Sequence, residues 1–495
     1  MRHNQLLFLF FLFFNLPFSF AQKTIGEINL PLKDRLRWNT AMIPIHNQNG
    51  RDMALAIVEE EQIYFTVVNE WFEVTDTLWS VERPKQTIYS DVLGGLHGPK
   101  GLYHLFFKST DKIRTVSIDV DDRSVEYHDR LFPGAGEKYI TSFIDSNSDF
   151  YLLTAGNKKN TLNVYKSKNG IEYEKTAFEV NGLTRRGELI NFGSFFRRRG
   201  LHYIPQDRMI DLVSGYRKNK LYLQDDMMYI SIDTENEYTI LLKLDMNDHS
   251  TSYKYFKQHK SSCMSDITSY VDAENRLESN SFLHKQLLYQ TMTCSNAFQL
   301  SIVDIDTKEV LNQFSFDITE NIPFKNSHIY FESGGSFYTL RQERARRMRR
   351  HLLQGMTKET PAIVVNESGQ DTLQLTIGSY GDFNQDCADP SIYPFTARRP
   401  FGRFTSSSFY GAYPGFTGAE DDQSVYFRTV IDAKTLKAIE LPLKGSTFSV
   451  IRDFNDDNYL LSKRFRALTV FNKEDQLILG YYNIREQKYI LKLFF

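Results

Sequence analysis

One short pattern recurs along this chain and constrains its fold more than anything else in it. An aliphatic or β-branched run meets a turn rich in Asp, Asn or Lys and then a second run. The copies are VSIDVDDRSVEY from Val116, LNVYKSKNGIEY from Leu162, LLKLDMNDHSTSYKYF from Leu241, LSIVDIDTKEVL from Leu300, FRTVIDAKTLKAI from Phe427 and LTVFNKEDQLILGYY from Leu468. Such turns are polar because Asp, Asn and Gly tolerate tight backbone angles and bond their own main chain. A strand–turn–strand unit cannot bury its apolar face alone, so the copies must pack on one another.

Further strands precede most copies: GLYHLFFKS from Gly101, DFYLLTAG from Asp149, KLYLQ from Lys220, QLLYQTMTC from Gln286 and NYLLSK from Asn458. Four short antiparallel strands at a period of roughly 40 to 60 residues describe a propeller blade. The chain is therefore expected to be all-β, a β-propeller of about seven blades (six to eight), with residues 22–495 as a single domain. A pair of β-sandwich domains is the rival. An early strand from about Met53 to Phe65 is expected to help close the ring with the C-terminal strands, since an open sheet edge invites aggregation. The 39 Phe and 28 Tyr fit pleated, half-buried surfaces.

Arg2 and His3, the greasy run from Leu6 to Phe18, and Ser19-Phe20-Ala21 have the order of a secretory signal peptide, with cleavage expected near Ala21. The apolar run is too short for a bilayer core, and no spanning run follows Gln22. A secreted or periplasmic, soluble product is expected. Lys plus Arg number 59 against 61 for Asp plus Glu, so no global field gathers nucleic acid. Three cysteines cannot form a main framework; a bridge, if present, would join Cys263 to Cys294. The alternative is a buried thiol at Cys294, on one strand face with Leu288 and Met292.

Two segments interrupt the repeat. Residues 340–357 read as a helical insert, the helix near 341–356, with Ala345, Met348, Leu352 and Met356 on one stripe and Arg344, Arg346, Arg347, Arg349 and Arg350 elsewhere. The arginines form either a basic surface for an acidic partner or a solvated face whose stems cover apolar neighbours. Residues 382–422 form a long loop of a composition that disordered linkers avoid. Its Tyr393, Phe401, Phe404, Tyr410 and Tyr413, with Arg398, Arg399 and Arg403, are candidate contacts for a protein or glycan. The alternative is a lid over a propeller face.

The motifs that could carry chemistry are few. SDVLGGLHGPKGLYHLFF, from Ser90 to Phe107, resembles the first-blade hairpin of furanosidase-type glycoside hydrolases, which implies Asp91 as nucleophile. A retaining mechanism needs a second carboxylic acid about 5 to 5.5 Å away. Neither the Arg-Asp-Pro stretch nor the Glu-Cys acid motif of those enzymes occurs; Ala388-Asp389-Pro390 lacks the Arg. Ser167-Lys168-Asn169-Gly170-Ile171-Glu172-Tyr173 resembles a degenerate Asp-box of sialidase-like propellers, where the box is a structural turn.

Asp382, Asn384, Asp386 and Asp389 alternate as Ca²⁺ ligands do, and Asp453 to Asp457 repeat the pattern, similar to integrin-type calcium loops, without the sharp-turn Gly. The 11 histidines show no metal spacing, His97 and His104 being the pair to note. The C-terminal LKLFF ends as outer-membrane barrel strands do, but sustained lipid-compatible strands are lacking. The leading expectation is an exported binding or scaffold module for a protein or glycan, without a cofactor. The competing one is a propeller-type carbohydrate-active enzyme.

Overall fold

Four of the six repeat turns fold in the same way. Asp119 Oδ1 accepts from the backbone N–H of Asp121 and Asp122, Asp245 Oδ1 from Asn247 and Asp248, Asp304 Oδ1 from Asp306 and Thr307, and Asp432 Oδ1 from Lys434 and Thr435. Four residues past each aspartate the chain turns left-handed, at Arg123, His249, Lys308 and Leu436, with φ between 50° and 65°. Asn483 and Gln487 repeat the arrangement. The carboxylate supplies the acceptors the tight turn needs, and the left-handed residue returns the chain to the next strand.

The computed structural model describes residues 22–494 except 31–40, 48–49, 76–77, 132–133, 135, 157–159, 186, 235–237, 260–276, 334–335, 339–344, 382–422, 442, 444–446, 449, 452–453, 455–464 and 474–475. Seven sheets of four or five strands follow one another among the described residues, beside one two-stranded hairpin, Thr184–Arg185 with Glu188–Leu189. The first sheet runs Ala41–His46, Met53–Val58, Gln62–Val68 and Trp79–Glu82, and the second Asp91–His97, Tyr103–Lys108, Lys112–Asp119 and Ser124–Leu131. The third runs Lys138–Ile144, Phe150–Ala155, Thr161–Ser167 and Glu174–Glu179. In the fourth, His202–Tyr203 lies parallel to Asn219–Gln224, and Met227–Thr234, Tyr238–Asp245 and Ser250–Lys257 follow.

The fifth sheet holds Glu278–His284, Leu287–Thr293, Ala297–Asp304 and Val310–Asp317. The sixth orders Thr360–Glu367, Thr372–Gly381, Gln423–Asp432, then Tyr330–Ser333 and Ser336–Tyr338 from upstream. The seventh orders Phe465–Lys473, Gln476–Asn483, Lys488–Phe494, and last Gln22–Asn29. Ala41–His46 packs against Asp91–His97 on one side and Phe465–Lys473 on the other. Asp91–His97 touches Lys138–Ile144, and Glu278–His284 touches Thr360–Glu367. The sheets stand radially with their first strands innermost, which is a β-propeller.

The ring-closing strand differs from expectation. Met53–Val58 and Gln62–Val68 are hydrogen-bonded within the first sheet, although Met53, Leu55 and Ile57 pack on the seventh. Gln22–Asn29 supplies the closing edge instead, pairing from Gln22 with Phe494 to Asn29 with Lys488. Four of the six repeat copies join the last two strands of a sheet, the copy from Phe427 turns back on its own strand through the Ile431–Ala438 bridge, and the copy from Leu468 joins the first and second strands of the seventh.

Aromatic pairs fill the seams between sheets. Phe65 meets Tyr103 at 5.3 Å, Phe106 stacks on Phe150 at 4.1 Å, Phe143 on Tyr203 at 4.0 Å, and Phe316 meets Phe427 at 6.3 Å. Burying one such ring contributes roughly 1.5–3 kcal/mol, and the pairing about 0.5–1.5 kcal/mol more. The high aromatic content is therefore spent on sheet-to-sheet packing.

Three helices decorate the ring: α1 (Phe192–Arg199), α2 (Leu212–Gly215) and α3 (Ala345–Lys358). α3 is the expected insert, with Leu352 and Met356 fully buried. Arg349 departs from the expected basic surface. It is buried, and its guanidinium donates to the Ile318 carbonyl and, at 2.9 Å, to Asn321 Oδ1, tying the helix to the loop after the fifth sheet. Arg350 is exposed, and the side chains of Arg344, Arg346 and Arg347 lie outside the described residues, as do Cys263, residues 382–422 and Asp453. Cys294 is buried beside Met292 and Ala297.

Candidate functional site

Two places could hold function in such a ring, the inner rim and the clefts between sheets. The inner rim is crossed by the chain itself. Residues 204–216 leave the fourth sheet and touch the first strands of sheets on the far side. Gln206 Nε2 donates to the Leu283 carbonyl of the fifth sheet, and Ile210 N–H donates to Asn366 Oδ1 of the sixth at 2.6 Å while Asn366 Nδ2 returns a bond to the Ile210 carbonyl. The Arg208 charge, with that of Lys473, helps burial to depress His46 of the first sheet to about 4. α2 then lies on the sixth sheet, Leu212 and Tyr216 packing with Ala362, Tyr380 and Tyr426, on the face opposite α3.

Asn280 fastens the end of this strap. Its Nδ2 donates to the carbonyls of Gly215, Tyr216 and Pro361, and its Oδ1 accepts from the fully buried Lys220. Asp233 completes the network, accepting from Ser281 N–H at 2.9 Å and Thr239 Oγ1 at 2.7 Å. These polar groups are used up in holding sheets four, five and six together.

A cleft of about 470 Å³ opens at the outer rim between the second and third sheets. Tyr127, His128, Asp129 and Arg130 of the second sheet's edge strand line it, with Thr115 behind them and Ile171 and Tyr173 from the third sheet's turn. That turn is the one resembling an Asp-box. It joins the third sheet's third and fourth strands, Asn169 Oδ1 accepts from the N–H of Ile171 and Glu172, and Gly170 stands at φ 72°. The Gly170 carbonyl accepts from Thr115 Oγ1 at 2.9 Å, which fixes the turn to the second sheet. A side chain at Gly170 would collide with His104.

The electrostatics of the cleft are set by pairing. Arg114 grips both oxygens of Asp129 at 2.5 and 2.6 Å, Tyr89 donates to it at 3.0 Å, and the guanidinium holds the carboxyl below the usual carboxylate range. Arg130 lies over the Tyr173 ring at 4.7 Å, and burial pushes the Tyr173 phenol up. His128 Nε2 sits 3.2 Å from Glu126, and beneath them His104 Nδ1 shares a hydrogen bond with Ser117 Oγ while burial depresses its pKa to about 4. The cleft thus offers an exposed guanidinium, an aromatic floor and hydroxyls, with its carboxylate already neutralised.

Asp91 opens the first strand of the second sheet, away from this cleft's lining. Its recorded partners are Lys108 Nζ at 2.7 Å and Ser90 Oγ at 3.3 Å, and Lys108 also caps the Tyr139 ring at 4.7 Å. His97 packs on Tyr103, across the strand from where His104 points, and no group of three metal-ligating side chains occurs among the described residues. The proposed loop contacts Tyr393, Arg398, Arg399, Phe401, Arg403, Phe404, Tyr410 and Tyr413, and the proposed calcium ligands Asp382, Asn384, Asp386 and Asp389, lie outside the described residues.

Sequence reasoning found the Asn169 turn but missed the cleft it caps. The available signal was the run Tyr127-His128-Asp129-Arg130, too polar on both faces for an edge strand that only packs.

No family model matches this chain, and no curated protein matches it. Among solved structures it is similar to the Nup133 β-propeller domain of Vanderwaltozyma polyspora, with 9% identity and a TM-score of 0.37 over 94% of this chain and 97% of that one. The WD40 domain of SCAP from fission yeast gives 10% identity and 0.31 over 96% and 87%, and the Dos1 propeller 8% and 0.33 over 96% and 95%. The propeller assignment stands on the strand order and ring contacts given above.

Proposed function

We propose that this chain is a seven-bladed propeller that works outside the cytoplasm as a binding scaffold, taking a protein or glycan ligand in the cleft between its second and third sheets. The observation that carries this reading is the strap at 204–216, which occupies the inner rim where a propeller enzyme would gather its carboxylates. The cleft supplies what recognition needs instead, a shaped recess with an aromatic surface and convergent hydrogen-bonding groups. Export rests on the order of basic start, apolar run and small residues in Met1 to Ala21.

The test is an array of glycans and extracellular proteins probed with the mature chain and with Arg130→Glu. Ligands held by the wild type and lost by the variant support the cleft. Arg130 is exposed and its recorded contact is the Tyr173 ring, so the fold tolerates the change. Hydrolysis of a glycoside by the wild type, abolished in Asp91→Asn and unchanged in Arg130→Glu, would replace this reading with the enzymatic one.

A further inference from the structure

A second surface lies between the third and fourth sheets, where residues 181–199 form an insert of a short hairpin followed by α1. α1 is anchored from below. Asn191 caps it by accepting from Ser194 N–H at 3.1 Å, and Phe192 and Phe196 are buried among the third and fourth sheets. Its last turn carries Arg197, Arg198 and Arg199, all exposed. Arg199 and, from the hairpin, Arg185 both lie over the Phe195 ring, at 5.7 and 5.6 Å, so the hairpin and the basic last turn of the helix are adjacent. A single cation meets the negative end of a helix. The sequence from 181 to 199 carries five arginines against one acid, Glu188, in a chain whose net charge is −2.

The patch is also apolar at its tip. Leu189, in the hairpin, is 59% exposed. Tyr255 OH bonds the backbone of Thr184 and joins the hairpin to the fourth sheet's edge strand, where Tyr255 meets Tyr253 of the same strand at 5.7 Å and Tyr238 of the neighbouring strand at 6.2 Å, both edge to face. Tyr238 and Tyr255 are 39% and 36% exposed. A protruding leucine, phenols with polar tips and clustered arginines are the residue types that settle at the headgroup level of an anionic bilayer.

We propose that this insert docks the propeller on an anionic lipid surface, the arginines pairing with headgroup phosphates and Leu189 entering the interface. This does not rest on the cleft as ligand site. The experiment is co-sedimentation of the mature chain with vesicles of 30% phosphatidylglycerol in phosphatidylcholine and with pure phosphatidylcholine, at low and high salt. Binding to the anionic vesicles alone, weakened by salt, reduced roughly tenfold or more in Arg197→Glu/Arg198→Glu and several-fold in Leu189→Asp, is the expected result. All three side chains are exposed, and unchanged thermal melting confirms that the variants fold. Equal binding to both vesicles, no binding, or a double variant that binds like wild type would overturn the proposal. So would tighter binding to soluble polygalacturonate that Leu189→Asp leaves intact, which would assign the arginines to an acidic glycan.

Discussion

At the scale of single residues, the acidic turns store a small cost that can be removed. Arg123, His249 and Lys308 adopt left-handed angles that cost an L-residue roughly 1–2 kcal/mol. Glycine avoids that cost but loses about 0.4–1 kcal/mol through the unfolded chain. His249→Gly and Lys308→Gly are each expected to stabilise by about 0.5 kcal/mol or more, read as a higher urea midpoint at unchanged slope. Buried Lys220 makes the opposite kind of prediction. Burial, with Lys218 adding to it and Asp233 opposing, depresses its pKa from 10.5 to about 8. The unfolded chain therefore holds the extra proton between about pH 8 and 10.5, and this group's contribution to stability rises with pH across that window. The unfolding free energy of the wild type, relative to Lys220→Met, should climb by roughly 2–3 kcal/mol from pH 7.5 to 10.5. A flat difference would mean that folded Lys220 keeps its proton across this range as a solvated lysine does.

At the scale of elements, what could be read from the sequence was what is local. Each edge hairpin announced itself because its aspartate, its left-handed residue and its two alternating strands lie within about a dozen positions. The buried runs such as LYHLFF were equally legible, being continuous apolar segments covered on both faces. The closing strand was not, because QKTIGEIN carries only Ile28 as a fully buried side chain and owes its pairing to residues at the other end of the chain. Nor was the cleft, which arises from two sheets meeting. The closing strand's two faces should respond differently to mutation. Ile28→Ala removes a side chain packed with Phe72 and Leu491 in the seventh-sheet core and should cost about 2–4 kcal/mol. Glu27→Ala breaks only the exposed 2.6 Å pair with Lys488 and should cost under about 1 kcal/mol. Equal losses in chemical denaturation would show that the strand is held by its edge and not by its core face.

At the scale of the whole molecule, the strap makes the ring less symmetrical in its energetics than in its strand order. Side-chain clusters join the seventh sheet to the first and the first through the sixth in turn, but the seams among sheets four, five and six also share one polar centre, Asn280, through which the strap, the sixth sheet's first strand and Lys220 are joined. Removing that amide leaves three carbonyls without this donor and the buried Lys220 ammonium with the Ser281 carbonyl but without its amide acceptor, each lost bond costing about 1–3 kcal/mol. Asn280→Ala should therefore lower global stability by at least about 3 kcal/mol. It should also loosen 204–216 before anything else, since the strap's other ties are the few bonds to Leu283 and Asn366 and the packing of Leu212 and Tyr216 on the sixth sheet. Limited trypsinolysis reads this directly. Met209 is exposed beside Arg208, so the variant should be cut after Arg208 while the first three sheets stay intact, and hydrogen exchange at Ile210 and Leu212 should rise without a matching rise at Leu105 or Leu152. If cleavage begins in those sheets instead, the strap unfolds only with the ring, and the inner rim is sealed as firmly as any seam.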